Sequence, residues 1–232
     1  MSIEDNENIY VLNDDEKDPD DSPKNYASYI YEEDEEEEND QIEQKEDRGK
    51  VSAFGLMFKI MFSPVEGWKS LRRKNLSVES LQSNCFYPLL ALLALGNFAD
   101  YIYSVNVNLS EVITKAVVAF VSFFFSYFSL PVLLSIILPK EMAEKITAKF
   151  GKAYFIIGLS TLALFSTITT LLPMIWPILI FLPIWTLYIL FKGLRFFQFK
   201  ENQNIKFYIL ASVGVIGMPL LIDWILNLIL PY

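Results

Sequence analysis

Between Ala153 and Phe191 the chain runs for 39 residues without an Asp, Glu, Lys or Arg. As one helix that stretch would be roughly 58 Å long at about 1.5 Å per residue, while a bilayer's hydrocarbon core is only about 30 Å thick. It therefore reads as two spans rather than one. The break falls at Pro173, with Pro177 just beyond, because proline lacks the helix-donating N–H and clashes with the preceding turn. The same apolar pattern predicts five spans in all, at about 84–103, 112–138, 153–172, 174–191 and 207–230. Asn97 and Asp100 fall in the second half of the first. Pro131, Pro183 and Pro219 lie within the second, fourth and fifth, where they predict kinks of the kind membrane helices tolerate.

Ahead of the spans, residues 51–76 form a juxtamembrane block. Phe54, Met57, Phe58 and Met61 recur at i, i+3, i+4 and i+7, one face of a helix that Leu56 and Ile60 widen. So short an apolar run cannot cross a bilayer, so it is expected to lie in the interface as an amphipathic helix. Ser63-Pro64-Val65-Glu66 then predicts a second helix start. Serine suits the cap, proline the first helical position, and a glutamate three residues after the serine completes a capping box. Val65, Trp68 and Leu71 share one side of that helix, and Arg72, Arg73 and Lys74 sit near its end, where cations suit the dipole. A tryptophan at headgroup level beside cytoplasmic basic residues is the expectation for such a segment.

Charge divides the chain near residue 50. Residues 1–50 carry 5 basic and 20 acidic residues, a net of 5 − 20 = −15, and residues 51–232 carry 14 basic and 8 acidic, a net of +6. Positions 32–38 read EEDEEEE. Like charges repel, and so little apolar surface cannot offset chain entropy, so residues 1–50 are expected to be a disordered, acidic cytoplasmic tail. Tyr26, Tyr29 and Tyr31 interrupt it and leave open a short binding motif beside the acid run. Residues 51–232 are then the membrane domain.

Orientation follows from the basic residues. With the N-terminus inside and five spans, Lys50, Lys59, Lys69, Arg72, Arg73, Lys74, Lys140, Lys145, Lys149, Lys152, Lys192, Arg195, Lys200 and Lys206 all fall on the cytoplasmic side, and Lys115 alone falls on the other. Removing the first span would set the first six against the other eight. The N-terminal MSIEDNENIY has neither a basic start nor an apolar run, so insertion is expected to be driven by the internal spans.

The acidic tail, the SPVEGW block from Ser63 to Trp68, five closely spaced spans and a very short outer C-terminus resemble the Yip family, the Ypt/Rab-interacting membrane proteins. The chain looks most like the bacterial branch, where a Ser-Pro-x-x-x-Trp block commonly precedes the first span. The resemblance covers about residues 55–231. Eukaryotic members carry an Asp-Leu-Tyr-Gly-Pro motif that this sequence lacks, so their link to Rab GTPases is not implied. What the resemblance implies is an all-α, five-helix domain of the bacterial inner membrane without enzymatic activity, acting in membrane organisation or partner recruitment. Ser63, Pro64, Gly67 and Trp68 are its candidate binding residues.

Candidate chemistry is sparse. There is no histidine, which removes histidine bases, Ser-His-Asp triads and HExxH zinc sites. Cys85 is the single cysteine, so no internal disulfide or CxxC pair can form. Asp100 and Asp223 lie near or within spans, but Ala99-Asp100-Tyr101 and Ile222-Asp223-Trp224 match neither order found in intramembrane aspartyl proteases. Asp223, about eight residues from the outer end of its span, is the remaining binding candidate, since an intramembrane carboxylate is costly. No metal, cofactor or nucleic acid is implied. The expected partners are the lipid bilayer and an unknown protein, the latter reached through the acidic tail. A small transporter or channel using Asp223, Asn97 and the hydroxyls Ser160, Thr161, Ser166, Thr167, Thr169 and Thr170 stays open as the alternative. Gly158, Gly214 and Gly217 read as helix-packing positions, and Lys140–Lys152 as a surface helix whose lysines could bind anionic lipid but are explained by membrane orientation without any ligand.

Overall fold

The structure, a computed structural model, describes residues 52–74, 76–103, 108–173, 181–197, 199 and 201–230. The acidic tail and its tyrosines lie outside the described residues. The described residues are helical, with no strand among them. In chain order they form α1 (Ala53–Phe62), α2 (Pro64–Lys74), α3 (Val78–Tyr103), α4 (Leu109–Ile137), α5 (Lys140–Thr147), α6 (Lys149–Leu171), α7 (Leu182–Leu194) and α8 (Glu201–Ile229).

Four helices, α3, α4, α6 and α8, are long and apolar enough to cross a membrane. Their starts are written locally. Ser77 accepts from the Ser80 N–H at 3.1 Å to open α3. Asn108 accepts from the Ser110 N–H at 3.3 Å to open α4, so donors that the first turn leaves unpaired are met by side chains. α6 ends at Leu171, directly before the Leu172-Pro173 break. The predicted fourth span falls partly outside the described residues. Its described portion, α7, has 13 residues, about 20 Å by helix rise. Pro183 was expected to kink that span. It sits instead in the first turn of α7, where a missing N–H leaves no bond unmade. Pro131 and Pro219 are inside α4 and α8, as expected.

α6 is the central helix. Of its most apolar stretch 67% is buried within the protein, against 22% for α8. A Cβ on Gly158 of α6 would meet Leu190 Cδ2 of α7 at 3.0 Å and Val215 Cγ1 of α8 at 3.4 Å, so this glycine lets three helices meet. Gly214 of α8 lies against the side chain of Leu130 of α4. Gly217, also expected to pack, faces only Val213 of its own helix, at 4.0 Å. The expected surface helix over Lys140–Lys152 is two elements, α5 and α6. They part at Ala148, whose extended ψ of 163° breaks the ladder, and Gly151 sits against the carbonyl of Ile146, where no Cβ fits.

Candidate functional site

The SPVEGW block is the joint of a helical hairpin. Ser63 serves both helices through its backbone. Its N–H donates to the Lys59 carbonyl at 2.8 Å, ending α1, and its carbonyl accepts from the Gly67 N–H at 2.8 Å, starting α2. Its φ of −131° and ψ of 75° make the corner. Pro64 follows at the first helical position and is buried. Gly67 explains itself by distance. A Cβ there would come within 2.5 Å of Ile60 Cα and 2.7 Å of Ile60 N. The two helices thus touch backbone to backbone, and only glycine permits that approach.

The α1 face that the sequence assigned to the interface is used inside the protein. Ala53, Leu56, Met57, Ile60 and Met61 are buried, and the Cys85 thiol of α3 meets the Met57 thioether at 3.1 Å. Trp68 corrects the expectation of an interfacial anchor in contact with lipid more sharply, because it is completely buried within the protein. Its indole N–H donates to the Ile189 carbonyl of α7 at 3.0 Å. In return the Trp185 indole of α7 donates to the Met61 carbonyl at the end of α1, also at 3.0 Å. A buried indole needs an acceptor, and a helix carbonyl has a second lone pair to offer. Two indoles therefore cross between hairpin and α7 in opposite directions.

Gly193 makes room for this. A Cβ on it would meet Trp68 Cε2 at 2.6 Å and Cζ2 at 2.8 Å. Around the indole lie Phe150 at 5.9 Å and Tyr154 at 5.5 Å between ring centroids. The cluster continues through Phe197, Phe199 and Phe207. The Tyr154 hydroxyl donates to the Leu190 carbonyl at 3.0 Å and the Tyr208 hydroxyl to the Leu187 carbonyl at 3.2 Å. α7 is thus gripped through its main chain by side chains of the hairpin, α6 and α8. Sequence reasoning missed Gly193, Trp185, Phe150 and Tyr154. Nothing in their local patterns marks them as partners of a residue more than eighty positions away.

Asp223 is elsewhere. It is half-buried on α8, and its Oδ2 accepts from Asn227 Nδ2 one turn on, at 3.1 Å. Phe207, the α8 residue in contact with Tyr154, lies 16 residues earlier, about 24 Å along a helix. The structure therefore does not bring Asp223 to the Trp68 block. Several span hydroxyls are satisfied by their own helix. Thr161, Thr167, Thr169 and Thr170 donate to carbonyls one turn back. Among the described residues no group of His, Cys, Asp and Glu side chains could hold a metal ion.

The pattern of long apolar helices and the hairpin block now has a match. The family model of the Yip1 domain matches residues 58–224. That range begins within α1, includes the whole SPVEGW block and ends one residue past Asp223. Among curated proteins and among solved structures no match is found. Since the family model spans well over half of the chain, this protein belongs to the Yip family and is a multi-pass membrane protein.

Proposed function

We propose that this Yip-family chain is a non-enzymatic membrane scaffold that organises the bilayer or recruits a protein partner. In this reading residues 51–232 form a five-span domain of a bacterial inner membrane, with the N-terminus cytoplasmic and the C-terminus outside. Residues 1–50 form an acidic tether or bait. The observation that carries the reading is the reciprocal indole exchange between Trp68 and Trp185. It fixes the hairpin onto the bundle, so the outward side of α2, with Val65, Glu66, Lys69, Arg72 and Arg73 exposed, is held as one rigid surface. Pre-organisation of this kind lowers the ordering cost of binding. The tail, net −15, precedes the hairpin in the chain. Ser63, Pro64, Gly67 and Trp68 act here by building the surface; the contacting groups are their exposed neighbours.

The test is crosslinking and pull-down from native membranes. Full-length protein is compared with a chain lacking residues 1–50 and with one carrying Val65→Asp and Lys69→Glu. Recruitment predicts a protein captured by the full chain and lost from one or both altered chains. Identical capture by all three counts against it.

A second reading, a small transporter or channel, is favoured by one observation. Ser122 of α4, Ser160 of α6, Thr186 of α7 and Ser212 of α8 each bury a hydroxyl oxygen without a hydrogen-bond partner. A conducting path needs several facing polar groups. The scaffold reading ranks first because the hydroxyls of Thr161, Thr167, Thr169 and Thr170 are spent within their own helix.

A further inference from the structure

The aromatic cluster around Trp68 gathers cations from four separate stretches of chain. Lys69 follows Trp68 directly, and Arg72 is one turn on. Lys152 lies between Phe150 and Tyr154, both in ring contact with Trp68. Lys192 and Arg195 flank Gly193, the residue under the indole. Lys206 precedes Phe207, which reaches Tyr154 at 5.8 Å. Of these, Lys69, Arg72, Lys152, Arg195 and Lys206 are exposed and Lys192 is half-buried. Each adjoins a buried residue in the chain, so the helices fix the backbone of this basic ring at one end of the bundle, and Lys192 Nζ stands over the Tyr188 ring, 5.2 Å from its centroid. Glu66 is the acid on the exposed side of α2.

The place of the ring decides its ligand. α6 begins at Lys149, α7 ends at Leu194 and α8 begins at Glu201, so the ring stands where the long apolar helices stop. At that depth a bilayer presents lipid phosphates. All six are among the cations that the five-span orientation sets on the cytoplasmic side, and the hairpin, α6, α7 and α8 bring their backbones to the same end.

We propose that this ring binds the headgroups of anionic phospholipids, whose phosphodiester and net negative charge suit clustered Lys and Arg. Arg72 and Arg195 can each grip a phosphate with two N–H groups, and the lysines supply point charge. The ring shares Lys69 and Arg72 with the surface proposed for recruitment, but lipid retention by the purified chain, with no protein partner present, is read separately from protein capture.

Native mass spectrometry of the detergent-solubilised full chain, titrated with phosphatidylglycerol and separately with phosphatidylcholine, tests it. Retention of phosphatidylglycerol over phosphatidylcholine is expected. Lys69→Gln, Arg72→Gln and Arg195→Gln together should lower phosphatidylglycerol retention by about tenfold or more, given the attraction of each cation to an anionic surface. Lys115→Gln, at the other end of the bundle, should leave it unchanged. A triple variant with charge kept, Lys69→Arg, Arg72→Lys and Arg195→Lys, should restore it, which separates charge from fold. Equal retention of the two lipids overturns the proposal. So does undiminished binding by the neutralised variant, or binding seen only after residues 1–50 are removed.

Discussion

Gly193 lies against the indole of Trp68, and a methyl group in its place would sit 2.6 Å from Cε2. The two residues are 125 positions apart in the chain and are shaped to each other. The large ring fills the space that the smallest residue leaves, and its N–H is taken up by Ile189 one turn away on the same helix. A fused ring buried on every side has no rotamer into which it can retreat.

Gly193→Ala should therefore destabilise the protein by about 1–3 kcal/mol, the usual penalty for overpacking a filled core. Gly217→Ala is the control, because that glycine faces nothing beyond its own helix; it should be neutral or slightly stabilising through better helix propensity. The measurement is the thermal unfolding midpoint of detergent-solubilised protein. Equal midpoints for the two variants would show that Trp68 yields.

The hairpin joint gives a second comparison. Gly67→Ala drives a methyl into the backbone of Ile60, which cannot move without displacing α1. Trp185→Phe removes one hydrogen bond from a half-exposed ring and should cost only about 1 kcal/mol. Trp68→Ala empties a fully buried site and should cost roughly 3–5 kcal/mol. The order expected in unfolding midpoints is Trp185→Phe above Gly67→Ala and Trp68→Ala. A Trp68→Ala protein as stable as Trp185→Phe would place the indole outside the core.

These residues also show what one dimension carries. Apolar runs longer than a bilayer is thick announce long helices, so α3, α4, α6 and α8 were readable, as was the Pro173 break. The Ser63-Pro64 corner was readable because caps are local. The fate of Trp68 was not. A tryptophan beside basic residues has the composition of an interfacial anchor, and only its pairing with Gly193 and Ile189 makes it a core residue. Gly214 and Gly217 likewise look alike in sequence, and the rotation of α8 puts one against Leu130 and leaves the other open. Asp223 stands out in the sequence as an acid within an apolar run, whereas its pairing with Asn227, one turn on, depends on side-chain rotamers that the sequence does not carry.

Orientation is tested by labelling. Cys85 is buried, so cysteines introduced at exposed positions can be read against a quiet background. Cysteines at Asn108 and Leu230 should react with an impermeant maleimide in intact cells, and cysteines at Glu144 and Lys206 should react only after lysis. The split of basic residues, fourteen to one, motivates this outcome. Labelling at Glu144 from outside would sink the inward N-terminus.

Asp223 separates the scaffold reading from transport. Its carboxylate sits on the least buried of the four long helices, and Asn227 supplies a hydrogen bond from the same helix. Such an i to i+4 pair satisfies part of an expensive group without any ligand. A carrier would instead use the carboxylate as a contact for an ion, proton or substrate. Asp223→Asn keeps the shape, removes the charge and still allows a bond with Asn227. For a scaffold, membrane insertion, unfolding midpoint and partner capture should match wild type, and purified wild-type protein in liposomes should give no proton or ion flux above empty vesicles. A wild-type flux abolished by Asp223→Asn, with helicity unchanged by circular dichroism, would put transport first. The four buried hydroxyls Ser122, Ser160, Thr186 and Ser212 would then be the next positions to substitute. Each to alanine should lower a real flux without lowering stability by more than about 1 kcal/mol, since an unpartnered buried hydroxyl contributes little to the fold.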